Sequence, residues 1–362
     1  MKQSAKRPMA VWLMVLIDLL VLAAFLSTFC YYHHIQAIWG AVDESVETEP
    51  PLMVITKPPR PDHTQVTVPV TPPSTGDDPS TPETDGPMWD MSGDFGWKFY
   101  YKFSADDEVI SEANYYRSHD LCIEITKVDK TLKQKATKSS SKATDTHVIY
   151  YVAHIYLRNM ENFFSAYQEG KNNAPSTLLS GTGAVFAING DVFNTGTSSK
   201  EIIVRNGNVI RYKSYISSDI CALYWDGTME TITPAEYDWN KLAAKAPYQV
   251  WSFGPELLND DGSAKTDIES SVWRTNPRAA IGYVEPGHYV MVAVDGNRDG
   301  KTNGGVGLNM DELAKVMSEE GCVQAYNLDG GASVYCYYQG EYLVSFTKNR
   351  KISDMVCVGE TR

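Results

Sequence analysis

Eleven of the chain's 18 prolines fall within residues 41–87, among threonine, serine, aspartate and glutamate, and this stretch divides the chain into parts that fold differently. Proline fixes φ and removes a backbone donor, so such a segment builds no packed core and reads as an extended linker. At about 3.1 Å per residue it would hold the two flanking parts on the order of 100 Å apart. On its N-terminal side lies an apolar run over residues 9–32. That run is long enough to cross a hydrocarbon core, for which about 20 residues suffice. Lys2, Lys6 and Arg7 stand before it. By the positive-inside rule, residues 1–8 are expected in the cytoplasm and everything after the run outside it. A cleaved signal peptide would need a shorter apolar core and a small-residue site, whereas Trp39 and Gly40 precede Ala41. The run therefore reads as an uncleaved, single-pass membrane anchor.

Residues 88–362 are expected to form one domain, with regular structure beginning near Trp89. Strand-like runs rich in β-branched and aromatic residues recur at 147–157, 183–189, 201–207, 221–225, 278–284, 289–296, 323–330, 333–340 and 354–359. Helical periodicity shows at 159–170 and at 234–246 after Thr233 as N-cap. It shows again at 308–321, where Asn309 caps, Leu313, Val316 and Met317 share a face, and Gly321 stops the helix. The lysine- and serine-rich stretch 130–142 reads as an exposed loop. Strands outnumber helices without strict alternation. The fold class expected is α+β, with mixed β-sheets and packed helices, preceded by one transmembrane helix and the Pro-rich stalk. A formal net charge of −13 argues against a nucleic-acid partner. Beyond Cys30 there are five cysteines without a CxxC pair, which read as buried free thiols.

Three clusters put polar residues at the ends of apolar strands, where sites are commonly built. In AINGDVFN, residues 187–194, the turn Asn189-Gly190-Asp191 projects an amide and a carboxylate together, or else satisfies its own backbone as a hairpin turn. In NPRAAIGY, residues 276–283, Arg278 opens an otherwise apolar strand. An arginine buried there must meet an anion, either a structural carboxylate or a ligand phosphate. The third cluster pairs VAVDG with YNLDGGAS, in which Asp295 and Asp329 each end a strand before glycine. The glycines Gly330 and Gly331 allow backbone N–H groups to converge on an anion. Two strand-end aspartates linked by a helix suit an acid/base or nucleophile pair. Asp295, Asn297 and Asp299 open like a calcium loop, but Val306 stands where such a loop ends in glutamate, so an exposed turn is the better reading and no cofactor or metal is expected. Motifs for serine hydrolases, P-loops, zincins and dinucleotide binding are missing, and His154 reads as a core or edge histidine.

Taken in order, AINGDVF, IIVRNG, WSFGPELLNDDG, NPRAAIG, VDG, the MDELAKVM helix, AYNLDGGAS and SDMVCVG resemble the phosphodiester glycosidase domain family, which includes bacterial proteins of the exopolysaccharide-biosynthesis type. The resemblance covers residues 147–358. It implies hydrolysis of a sugar-1-phosphodiester bond in an extracytoplasmic glycan or cell-surface polymer, with a carbohydrate or glycosyl-phosphate as the substrate. On this resemblance Asp329, Asp295 and Asp191 are the candidate catalytic carboxylates. Arg278, Gly330, Gly331 and Ser333 would hold the phosphate, and Asn189 would orient sugar hydroxyls. Arg205 and Glu256 would contribute from the periphery. The rivals are a non-catalytic polysaccharide-binding protein on the same fold and a metal-dependent phosphodiesterase. The latter usually needs a His/Asp cluster that the sequence does not show.

Overall fold

Alternation of facing residues carries one strand for 15 residues, β3 (Leu121–Lys135), and its partner β4 (Ala143–Leu157) returns in full register, Leu121 opposite Leu157 and Lys135 opposite Ala143. The first part of the stretch expected as a loop over 130–142, residues 130–135, is therefore strand. Its period of two explains this: Val128 and Leu132 pack on the core, while Lys127, Lys133 and Lys135 take the opposite, exposed face. Gln134 is buried at the far end of the hairpin and donates to the Gly307 carbonyl at 2.9 Å and to Glu312 at 2.8 Å. Lysine content alone says nothing about which face a residue occupies.

The computed structural model describes residues 55–58, 90–135, 138–140, 142–192, 201–296, 305–344 and 350–360. All of them belong to one unit, 52–362. Among the described residues no helix is long and apolar enough to cross a membrane, and the apolar run 9–32 lies outside them.

Three sheets make up this unit. The first runs β1 (Ile110–Ser111), β2 (Tyr115–Arg117), β3, β4, β13 (His288–Val294), β12 (Arg278–Glu285), β14 (Gln324–Asn327). The second runs β10 (Met229–Ile232), β9 (Ile220–Tyr224), β11 (Pro247–Trp251), β7 (Ile203–Arg205), β8 (Asn208–Arg211). The third runs β16 (Glu341–Tyr342), β15 (Cys336–Tyr338), β6 (Ala184–Asn189), β17 (Asp354–Gly359), β5 (Phe163–Tyr167). Every strand pairing among the described residues is antiparallel. The expectation of mixed sheets is thus corrected, and the domain is mostly β with few helices. A parallel neighbour needs a crossover of a dozen or more residues, usually helical. The described helices are α1 (Gly96–Phe99), α2 (Pro175–Leu179), α3 (Trp239–Ala244) and α4 (Met310–Glu319).

Helix α4 is the one that the sequence marks most clearly. Asn309 Oδ1 accepts the Glu312 amide at 2.9 Å and Glu312 Oε2 accepts the Asn309 amide at 3.0 Å, a reciprocal capping box. Its buried residues Leu313, Ala314, Val316 and Met317 pack on the first sheet. Two other helical expectations are corrected. Residues 160–162 make a single 3-10 turn and Phe163–Tyr167 is strand β5, because Phe163, Ser165 and Ala166 are buried opposite Val358, Val356 and Met355. Helix α3 starts at Trp239, since Asp238 rather than Thr233 supplies the cap, accepting from the Asn240 and Lys241 amides. The five described cysteines are buried and form no disulfide.

One short piece of the expected linker is docked. Ile55 is 6% exposed, its amide donates to the Gly207 carbonyl at 2.7 Å, and its own carbonyl accepts Trp225 Nε1 at 3.0 Å. Lys57 follows with ion pairs to Asp94 at 2.6 Å and Glu161 at 2.8 Å. A free spacer over the whole of 41–87 is therefore corrected at these residues, where an isoleucine finds an apolar seat among the prolines. Ile55→Ala is expected to destabilise the domain by roughly 2 kcal/mol, the lower end for truncating a buried isoleucine. Lys57→Ala should cost about 1 kcal/mol or less, as for a half-exposed ion pair. Urea unfolding of both variants checks this, and equal, negligible shifts would show that 55–58 does not dock.

Candidate active site

Antiparallel pairing decides which strand ends meet. Arg278 opens β12 opposite Val294, the last residue of β13, and Ala280 stands opposite Asn327, the last residue of β14. The residues immediately beyond those ends are Asp295 and, past Leu328, Asp329. Arg278, Asp295 and Asp329 thus gather at one edge of the first sheet, the arginine on the central strand and the aspartates on the strands to either side. The β6 turn of the third sheet reaches the same edge. Asn189 Nδ2 donates to the Asp329 carbonyl at 2.6 Å, its Oδ1 accepts the Tyr335 amide at 3.2 Å, and the Gly190 carbonyl accepts the Asp329 amide at 3.1 Å.

Arg278 is 2% exposed, and its guanidinium meets only carbonyls: Nε donates to Leu308 at 3.0 Å, and Nη2 donates to Val272 at 2.6 Å and to Arg274. Among the described residues no carboxylate stands within ion-pair distance of it, and burial alone lowers its pKa to about 10. Its Nη1 lies toward Gly330, 3.7 Å from where a Cβ would stand on that glycine.

Asp329 is half-buried, with one oxygen accepting the Gly330 amide at 2.8 Å. Burial raises its pKa, against the Ser333 hydroxyl, the Arg350 charge and the Gly330 amide, while the Asp354 charge adds to the rise. Ser333 is buried beside it. Asp295 is 6% exposed and accepts the Gly296 amide at 2.8 Å. Tyr151, opposite Ala293 and one diagonal step from Asp295, is half-buried and feels that carboxylate's charge.

Other candidates sit differently. Asp191 is 2% exposed and fully engaged, accepting Arg205 Nη2 at 3.2 Å and the Ser252 and Phe253 amides at 2.7 and 3.0 Å. Arg205 in turn donates Nε to Asp354 at 2.6 Å. Asp191, expected as a third catalytic carboxylate, and Arg205, expected at the periphery, sit together with Asp354 in one buried triad, in which both Asp191 oxygens accept hydrogen bonds. The Gly330 and Gly331 amides, expected to cradle a phosphate, both have partners within the chain. The first donates to Asp329 and the second to the Pro277 carbonyl at 2.9 Å, which the positive φ of Gly331, 64°, allows. Glu256 bridges to Tyr326, further back along β14, and its carboxylate is taken by Lys265 and Thr231. His154 lies between His288 at 3.0 Å and Glu320 at 3.1 Å, apart from these strand ends. Asn297 and Asp299, the rest of the calcium-loop pattern, lie outside the described residues.

Asp354 was not among the residues that the sequence singled out. Its signal was available: like Arg278, it is a charged residue opening an apolar strand.

Residues 182–359 match the model of the family described as phosphodiester glycosidase. This part of the chain belongs to that family. Every residue of the strand-end cluster and of the buried triad falls within it. The chain is 25% identical over 218 residues to the SPbeta prophage-derived uncharacterized protein YomE of Bacillus subtilis (strain 168), an alignment covering 58% of this chain and 33% of that protein. The chain thus spans a third of the length of that curated relative. Among solved structures, the auto-inhibited catalytic domain of zebrafish N-acetylglucosamine-1-phosphodiester alpha-N-acetylglucosaminidase superposes with a TM-score of 0.52 at 17% identity, covering 66% of this chain and 84% of that one. The likeness is one of fold. A hypothetical protein from Synechocystis gives a TM-score of 0.46 at 13% identity, covering 67% and 62%.

The triad has a consequence for stability. Burial raises the pKa of Asp191 from 3.8 to about 7, against the pull of Arg205, and raises that of Asp354 as well. An acid whose folded pKa lies above its unfolded one binds its proton more tightly when folded. The stability it contributes is full below about pH 4 and is lost as pH rises through about 7. The unfolding midpoint in urea is therefore expected to fall between about pH 5 and about pH 8, and Asp191→Asn should flatten that fall. A midpoint that rises over this window would contradict the assignment.

Proposed function

We propose that the domain hydrolyses a sugar-1-phosphodiester bond in an extracytoplasmic glycan or cell-surface polymer. One observation carries this reading: a buried guanidinium without a carboxylate among the described residues, at a strand end flanked on both sides by aspartates. Leaving such a charge uncompensated is costly, and a ligand phosphate supplies the missing anion in the planar geometry that arginine favours. The backbones of β13 and β14 stand two interstrand spacings apart, roughly 10 Å, which is room for a sugar ring between Asp295 and Asp329. With phosphate held on Arg278, the anomeric carbon lies toward the carboxylates.

Cleavage then proceeds through an oxocarbenium-like state in which the C1–O bond breaks and the phosphate departs with the bonding pair. One aspartate stabilises or captures the sugar carbon or activates water. Asp329, biased by burial toward its protonated form, is the group suited to give a proton to the leaving oxygen. The family match supports the reaction class, and the apolar run 9–32 with its preceding positive charges supports single-pass anchoring with the domain outside the cytoplasm.

Hydrolysis of a sugar-1-phosphodiester in ¹⁸O-labelled water is expected to place the label on the anomeric carbon. Asp329→Asn should lower kcat by on the order of 10²-fold with little loss of stability. Arg278→Ala should lower kcat/KM by roughly 10²-fold through loss of a charge-assisted contact to phosphate. Label found in the phosphate would establish attack at phosphorus instead. Polymer binding without turnover, surviving both substitutions, would establish the binding-protein alternative.

A further inference from the structure

Asp354 is wholly buried at the start of β17, and the proposed reaction gives it no role. Its Oδ2 takes Arg205 Nε at 2.6 Å, and Arg205 Nη2 continues to Asp191 at 3.2 Å. Its main-chain carbonyl accepts the Gly190 amide at 3.1 Å, and the Gly190 carbonyl accepts the Asp329 amide, also at 3.1 Å. The other carboxylate oxygen, Oδ1, abuts Gly190, and the Asp191 amide, next along the turn, favours the charged form of the carboxylate. A Cβ on that glycine would stand 2.4 Å from Oδ1, so no side chain fits between them. A single glycine therefore links the main chain of Asp354 to that of Asp329, with the Asp354 carboxylate packed against it.

We propose that Asp354 is a positioning residue for Asp329, fixing the Gly190 turn from which the Asp329 main chain hangs and setting a negative charge behind its carboxyl. This deepens the glycosidase reading and rests on it for the part that Asp329 plays in chemistry. Asn189, on the same turn, fastens the Asp329 carbonyl, so both main-chain polar groups of Asp329 are held by the turn that Asp354 backs. The charges around the pair are Arg205 and Asp191 on the side of Asp354, and Arg350 on that of Asp329, with Ser333 its polar neighbour. Tyr167 stands opposite Asp354 on β5, and Cys357 lies on its own strand. Of these groups, Asp354 favours the protonated form of Asp329, in keeping with proton donation to the leaving oxygen.

The test uses the full chain with Asp354→Asn, which keeps an oxygen for Arg205 and removes the charge. The Asp329 carboxyl, followed by carbon NMR without substrate, is expected to titrate at lower pH than in the parent. Turnover of a sugar-1-phosphodiester should fall about tenfold or more in kcat with KM little changed, as for a misplaced catalytic group. Asp191→Asn, which leaves the Asp354 charge in place, should not move the Asp329 titration. An unmoved Asp329 midpoint in folded Asp354→Asn protein overturns the proposal. If the parent turns over no sugar-1-phosphodiester, the glycosidase reading fails, while the titration still decides the role of Asp354. Should Asp354→Asn not fold, amide exchange in the parent decides: Gly190 and Asp329 exchanging through one common opening supports the link, and Asp329 opening while Gly190 stays closed overturns it.

Discussion

Arg205 lies wholly buried between Asp191 and Asp354, and the meeting of the second and third sheets depends on it. It leaves the end of β7 to reach the turn after β6 and the start of β17, while Asp191 also takes the amides that follow β11. Removing one partner of such a buried pair costs roughly 3–5 kcal/mol, because the charge left behind has no water to turn to. With two carboxylates on one guanidinium, burial resolves the excess by holding one of them toward its protonated form. The position of the β6 turn follows from this triad. From the turn come the bonds of Asn189 and Gly190 that place Asp329 at the edge of the first sheet.

Arg278 forms the instructive contrast. It is buried almost as deeply as Arg205, yet it meets three carbonyls, where Arg205 meets two carboxylates as well as two carbonyls. Carbonyls satisfy hydrogen bonds and leave the charge uncancelled, so burial alone pulls its pKa down. One arginine is completed by the protein and the other is open to completion by an anion. That difference, and not the presence of arginine as such, is what the proposed phosphate site at the end of β12 rests on. Among the described residues no carboxylate, those of the flanking strands included, quenches the Arg278 charge.

Much of this was legible in the chain. Arg278, Asp295 and Asp329 announced themselves because a charged residue at the end of an apolar run has to be explained by something outside the run. The capped helix α4 was equally plain, since Asn309 and Glu312 carry a local signal. What could not be read were the partners. Arg205 meets Asp354 across 149 residues of sequence, and no local pattern distinguishes that arginine from one awaiting a ligand. The glycines of Asp329-Gly330-Gly331 promised converging amides, but whether an amide is available depends on Pro277, which pairing of β12 brings alongside. The segment 159–170 misled because a short run fits two periods, and burial against β17 decided between them, while in 130–135 the lysines hid an alternation of faces. Ile55 was hidden by its setting among prolines.

The most direct measurement tracks the guanidinium resonances of Arg278 and Arg205 by nitrogen NMR while a non-hydrolysable sugar-1-phosphonate diester is titrated in. The expected result is a saturable shift of Arg278 with Arg205 unmoved, since among the described residues only the former lacks a carboxylate partner. Binding of the phosphonate that leaves Arg278 unchanged would contradict the assignment of this strand end as the phosphate site.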